Sequence, residues 1–193
     1  MRTRNVEAYA ELHRRRTYGN TAVKMRRFIE PWVTIARPVS LIDYGAGQGG
    51  FADVLDAPTL AVRDSYDPAI PEIATIPRPH YDLALSIDVL EHLEPDEVDG
   101  VLADIARIAS RALVVVTTVP ARAILPDGRN AHTTLAPGPW WRDRIRAAFG
   151  EAESIPVFRK GRAGFKTWRS SPAEWATFLA RYAPAELRHQ LGR

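Results

Sequence analysis

The sequence predicts an α/β fold: a doubly wound, mostly parallel sheet that ends in an antiparallel hairpin. Three observations carry this reading. Short aliphatic and β-branched runs alternate with segments of helical period. The first run, Ser40 to Tyr44, leads through a glycine-rich turn into a helix, and the last third of the chain holds two apolar arms around Lys160-Gly161-Arg162.

In chain order, residues 5–37 read as a helical N-terminal extension. Tyr9, Leu12 and His13 share one face, and Val23, Met25, Phe28, Ile29 and Trp32 form a second apolar cluster. After the turn at residues 45–50, a short helix runs from Phe51 to Leu55. The second strand spans Leu60 to Tyr66 and ends at Asp67, and the third spans Tyr81 to Ile87 and ends at Asp88. Between them lie Pro68, Pro71, Pro77 and Pro79, too many prolines in too short a stretch for a crossover helix plus a strand, so this region is expected to be reduced. A helix is predicted from Pro95 to about Ser110, with Asp96 and Glu97 in its first turn and Val98, Val101, Leu102, Ile105 and Ile108 as its apolar stripe.

Ala112 to Thr118 is a buried strand. Trp141, Ile145 and Phe149 mark a helix closed by Gly150, residues 152–159 and 164–169 form the hairpin arms, and Ser171 to Glu174 is a capping box before the C-terminal segment. At 193 residues and 46% hydrophobic content the chain suits one domain, read as an extension (1–37), a core (38–170) and C-terminal helices (171–193).

No run approaches the roughly 18 apolar residues of a membrane span, and the N-terminus is charged rather than apolar, so a cytoplasmic protein is expected. The lack of cysteine excludes disulfide scaffolds, thiolate metal sites and cysteine nucleophiles. Charge is segregated: residues 38–106 carry fourteen acidic and two basic groups, while residues 107–193 carry fifteen basic and six acidic. That pattern suits a cationic cofactor beside an anionic substrate. With no continuous basic run, it does not favour nucleic acid.

The glycines let the backbone pass close to a ligand, and by themselves Gly45, Gly47 and Gly50 also fit the G-x-G-x-x-G pattern of dinucleotide enzymes. Asp43 tips the comparison, because a carboxylate two residues ahead of the first glycine repels a pyrophosphate. Asp67, seventeen residues after Gly50 at a strand end, stands where α/β nucleotide-binding folds put the acid that accepts ribose hydroxyls; Asp64 is its rival.

Asp43-Tyr44-Gly45-Ala46-Gly47-Gln48-Gly49 resembles the first motif of class I S-adenosylmethionine (SAM)-dependent methyltransferases. Asp88-Val89-Leu90-Glu91-His92-Leu93, after the third strand, resembles their fourth-strand motif. The resemblance spans roughly Leu41 to Val119 and implies a Rossmann-like fold with SAM as cofactor. It also implies cofactor contacts from Asp43, Gly45, Gly47, Gly49, Asp67, Ser86, Ile87 and Asp88, with Glu91, His92 and His132 orienting or deprotonating the acceptor. The Asn/Asp-Pro-Pro-Tyr signature of many amino-group methyltransferases is absent, since residue 86 opens Ser-Ile-Asp-Val, so O-methylation of a small or nucleotide- or sugar-like acceptor is expected.

A second likeness is to metal-assisted O-methyltransferases, in which a Glu-x-x-Glu-His segment helps hold a divalent cation. It implies a Mg²⁺ or Mn²⁺ site from Asp88, Glu91, His92 and His132, although Asp88 is one methylene shorter than the family's Glu. In the polar loop 125–132, Arg129 is expected to meet an anionic group on the substrate, and Trp140 and Trp141 to close the pocket or join the core. A nicotinamide-dependent oxidoreductase and a non-catalytic SAM-fold binding protein remain the alternatives.

Overall fold

The computed structural model describes residues 3–15, 20–48 and 50–191; Gly49, the side chain of His13 and residues 192–193 lie outside the described residues. The strands are β1 (Ser40–Tyr44), β2 (Val62–Tyr66), β3 (Leu83–Ile87), β4 (Ala112–Thr117), β5 (Glu153–Ile155) and β6 (Arg162–Lys166). They form one sheet in the order β2-β1-β3-β4-β6-β5, with β1 to β4 parallel and β6 antiparallel to both β4 and β5. The sheet is Rossmann-like, as expected, and the hairpin sits at one side. Arg162, expected in the hairpin turn, instead opens β6.

The helices are α1 (Val6–Arg15), α2 (Asn20–Ala36), α3 (Phe51–Val54), α4 (Val98–Ile108), α5 (Gly138–Phe149) and α6 (Pro172–Gln190). Both faces of the sheet are covered, and the twofold alternation of each strand divides its side chains between them. Leu113 and Val115 of β4 join Phe28, Trp32 and Phe178 of α2 and α6. Ala112, Val114 and Val116 join the stripe of α4 and Trp141 and Ile145 of α5. Full burial of each large apolar side chain stabilises by about 1.5–3 kcal/mol, so the fully buried Phe28, Ile29 and Trp32 anchor α2 firmly. Val23, expected in that cluster, is 38% exposed and lies outside it.

Two further departures have local causes. The fourth helix begins at Val98 rather than Pro95, after a turn in which the amide of Glu97 bonds the carbonyl of Glu94 at 2.9 Å. Asp96 pairs with Arg4, while Glu97 accepts from the backbone N of Arg4 at 2.9 Å and from that of Glu94 at 3.1 Å. After β2 the chain makes a 3₁₀ turn, Pro71–Ile73, and enters β3 through a bridge from Tyr81 to Ala109; β2 is left as the sheet edge, in line with the reduced region read from the prolines. Gly150 closes α5 at φ 82°, and Ser171 and Glu174 form the reciprocal cap of α6. Among the described residues no helix is long and apolar enough to cross a membrane.

Strand β1 pairs with β2 on one side and β3 on the other, so the chain winds outward in opposite directions from it. In such sheets a crevice opens at the carboxyl ends of the two strands flanking the reversal.

Candidate active site

That crevice is a cavity of about 580 Å³, a volume in the range of small-molecule sites. Asp43, Gly45, Gly47 and Asp67 line it from the β1–β2 side, and Ile87, Asp88 and His92 from the end of β3. Gly45 and Gly47 have φ of 81° and 55°, and a Cβ on Gly45 would lie 2.5 Å from a γ-carbon of Val89. Glycine is therefore required at position 45 both for its backbone angle and for the close passage of the loop after β3.

The first three amides of this turn have acceptors within the protein. Gly45 and Ala46 donate to the carbonyl of Tyr66 at 2.7 and 3.1 Å, and Gly47 donates to Asp67 Oδ2 at 2.8 Å. Gly45, Ala46 and Gly47 thus spend on the fold the N–H groups that a diphosphate cradle would present. Asp67, 8% exposed, also accepts from the amide of Ala69 at 2.9 Å; it braces the turn while each oxygen keeps a lone pair. Its rival Asp64 is occupied by Arg78 and the Tyr81 hydroxyl, both at 2.8 Å.

Asp43 differs from both. It is 2% exposed, and its Oδ2 has no hydrogen-bond partner among the described residues. Burial, reinforced by the charges of Asp67 and Asp53, pushes its carboxyl up to about 7. A buried carboxylate with an unused oxygen on a cavity wall is poised for a cation.

The far side of the cavity is built around His92 and His132. His92 Nδ1 lies 2.9 Å from the carbonyl oxygen of Ala131 and 2.9 Å from the Tyr9 hydroxyl, which itself donates to that carbonyl. His132 Nδ1 lies 2.6 Å from the carbonyl of Val119. Carbonyls only accept, so each Nδ1 carries the proton and each Nε2 is the basic nitrogen. The two rings meet edge to face at 4.9 Å. Helix α1 roofs this half: Tyr9, Val6 and Leu12 line the cavity, while Asn5 bonds the carbonyl of His92 and the carboxylate of Glu94 at 3.3 and 3.1 Å.

No protein-family model and no curated protein matches the sequence. Solved structures do match in fold. The N1-methyltransferase of 1,6-didemethyltoxoflavin from Burkholderia thailandensis superposes with a TM-score of 0.55 at 15% identity, over 82% of this chain and 86% of that one. Magnesium protoporphyrin IX methyltransferase from Synechocystis gives 0.51 at 14% identity, over 84% and 95%. The chain has the class I methyltransferase fold. An O-methyltransferase family protein from B. thailandensis gives 0.54 at 19% identity; it is a longer protein, and 59% of its chain is covered.

Set on the methyltransferase fold, the expected site residues divide into two groups. Asp43, Gly45, Gly47, Asp67, Ile87, Asp88, His92 and His132 line one cavity. Ser86 and Glu91 do not. Both are fully buried behind the wall, with Ser86 Oγ and Glu91 Oε2 lacking hydrogen-bond partners among the described residues.

The divalent-cation reading is not supported: among the described residues no group of three or more His, Asp or Glu is arranged to hold a metal. Asp88 is already committed, and Glu91 is buried away from the cavity. Asp88, at φ 60°, is gripped by both terminal nitrogens of Arg162 and by the Thr117 hydroxyl at 2.7 Å. Burial opposes its ionisation, but the Arg162 guanidinium and the Thr117 hydroxyl overcome this and hold the carboxyl below the usual range. Glu91 accepts from the amide of Thr117 at 2.6 Å, and burial plus the charge of Asp88 raise its carboxyl well above the ordinary value.

Arg129 is likewise spent, on Glu94 at 2.5 Å, Asp127 at 2.7 Å and Asn5 at 3.2 Å, and does not line the cavity. Trp141 is core and Trp140 lies under Arg144, so neither closes the pocket. Tyr9, Thr117, Arg122 and Arg162 are pocket residues that the sequence reading missed. Arg122 lies in the loop after β4 and Arg162 is the first residue of β6, and nothing in the local sequence marks either as facing the cavity.

Proposed function

We propose that this chain is a SAM-dependent O-methyltransferase acting on a small hydroxylated acceptor. The observation that carries the reading is Asp43: a buried carboxylate with an unpartnered oxygen beside a glycine turn in which the amides of Gly45, Ala46 and Gly47 are already taken by Tyr66 and Asp67. This end of the crevice suits a positively charged ligand without phosphates. It does not suit a dinucleotide. The fold neighbours described as holding S-adenosylhomocysteine (SAH) support the same cofactor, and the one with bound 1,6-didemethyltoxoflavin supports a small acceptor.

Asp43 would hold the cationic end of SAM and Asp67 the ribose hydroxyls, with Gly45 and Gly47 allowing close approach. When bound, the cofactor supplies an electrophilic methyl group on a sulfonium. The protein's share is alignment, exclusion of water and management of one proton. The α1 roof encloses the acceptor. His92, its tautomer fixed by Ala131 and Tyr9, accepts the hydroxyl proton at Nε2 as the new O–CH₃ bond forms and the S–CH₃ bond breaks. His132, nearer the mouth, orients the acceptor.

The test is a turnover assay that quantifies SAH release over matched hydroxyl and amine acceptors. Turnover with hydroxyl acceptors, unaffected by chelator, is expected. Turnover confined to amines would overturn the O-methylation reading, and SAH binding without turnover on any acceptor would leave a non-catalytic binder.

A further inference from the structure

We infer that the acceptor carries an oxyanion, a carboxylate or a phosphate, and that Arg122 recognises it. The inference rests on the methyl-transfer reading above and adds the class of acceptor.

The cavity is electrically divided. The carboxylates without a cationic partner, Asp43 and Asp67, stand at the ends of β1 and β2, whereas Arg122 and His132 stand beyond the end of β4. At about 4.8 Å between neighbouring strands, the two ends are on the order of 10–15 Å apart. The remaining ionic pair on the lining, Asp88 and Arg162, cancels itself. Arg122 is the exception among the cavity's arginines. Its side chain is exposed at the lining and makes no hydrogen bond or ion pair among the described residues.

Its backbone, by contrast, is fixed on both sides. Ala121 donates to the Asn130 side-chain oxygen at 2.9 Å and accepts from the Asn130 amide at 2.9 Å, and the carbonyl of Ala123 accepts from Ala131 at 3.1 Å. A braced pedestal thus carries an uncommitted guanidinium, the group best shaped to take a carboxylate or phosphate through two parallel hydrogen bonds. Holding the backbone beneath it in place in advance reduces the ordering cost of binding. The lining near this end also includes the apolar Leu93, Ala123 and Ala131, which suits an acceptor with an apolar or sugar body that carries both a hydroxyl and an anion.

The experiment uses the full chain saturated with SAH and two matched probe pairs, followed by calorimetry: 4-hydroxybenzoate against 4-hydroxybenzamide, and ribose 5-phosphate against ribose. At least one anionic member is expected to bind tenfold or more tightly than its neutral partner, and the better pair distinguishes carboxylate from phosphate. Arg122→Ala should erase that preference while leaving SAH affinity unchanged, and Arg122→Lys should recover part of it. Equal binding within both pairs, binding of no probe, or a preference that survives Arg122→Ala would overturn the inference. SAH binding is scored separately. If SAH fails to bind, the methyl-transfer reading falls and takes this inference with it, whereas SAH binding without an anion preference refutes this inference alone.

Discussion

Lowering the pH should weaken cofactor binding through Asp43 in a calculable way. Its carboxyl stands at about 7 in the folded chain against an ordinary 3.8, with burial as the first cause. If only the ionised form takes the cationic ligand, the competent fraction is about three quarters at pH 7.5 and about 3% at pH 5.5, a loss in affinity of roughly 25-fold, or about 2 kcal/mol. The assay is calorimetric titration with SAH, whose amino group stays protonated across this window, in buffers of different ionisation enthalpy so that proton release is counted.

The same group also affects stability. A carboxyl raised in the fold binds its proton more tightly there than in the unfolded chain, so stability is lost as the pH climbs from about 4 through 7. Asp43→Asn should therefore raise the melting temperature of the ligand-free protein at pH 8 while flattening and weakening SAH binding. An affinity that stays level from pH 7.5 to 5.5 in the natural chain, or that falls equally in Asp43→Asn, would refute the reasoning.

Other substitutions probe the rest of the site and its frame. Gly45→Ala adds a Cβ at positive φ, 2.5–2.6 Å from the Val89 γ-carbons; a loss of about 2–4 kcal/mol is expected by urea unfolding, and pairing it with Val89→Ala should recover the steric share but not the backbone share. His92→Asn should lower kcat by about 10²- to 10⁴-fold with SAH affinity unchanged; an unaltered rate removes His92 from proton transfer. Lys166 is inaccessible to solvent. It pairs with Glu153 and sits 5.0 and 5.2 Å from the rings of Trp32 and Trp168, tying β6 to α2. Lys166→Met should cost about 3 kcal/mol and roughly 10 °C in Tm, read by differential scanning calorimetry, and a loss below 1 kcal/mol would count against a structural ion pair.

The strands were readable from the sequence because burial on both faces demands apolar runs, as in Leu83 to Leu85 and Ala112 to Val116, and because Gly45 closes the first strand with an angle other residues avoid. The acidic end of the crevice followed, since Asp43 and Asp67 lie at strand ends fixed by that pattern. The basic end did not. Arg162 and Arg122 reach the cavity through a long-range strand pairing and a loop braced by Asn130, neither of which leaves a local signature. Arg129 was placed in the pocket on the polarity of its loop and its position after a central strand, but Glu94, thirty-five residues away, takes it. The unsupported metal cluster has the same origin: spacing brings Asp88, Glu91 and His92 together in sequence, and only the fold reveals that Arg162 and Thr117 hold Asp88 while Glu91 is buried away from the cavity. Tyr9 read as an ordinary helix-face aromatic until the fold set its hydroxyl on His92.

The central claim is that the crevice at the end of β1 takes a cationic sulfur nucleoside rather than a diphosphate. Parallel equilibrium titrations of the purified chain with SAM and with NADH test it most directly. Saturable SAM binding at one site per chain, competed by SAH and lost in Asp43→Asn, with no response to NADH, is the predicted result; saturation by NADH with no SAM binding would contradict the account.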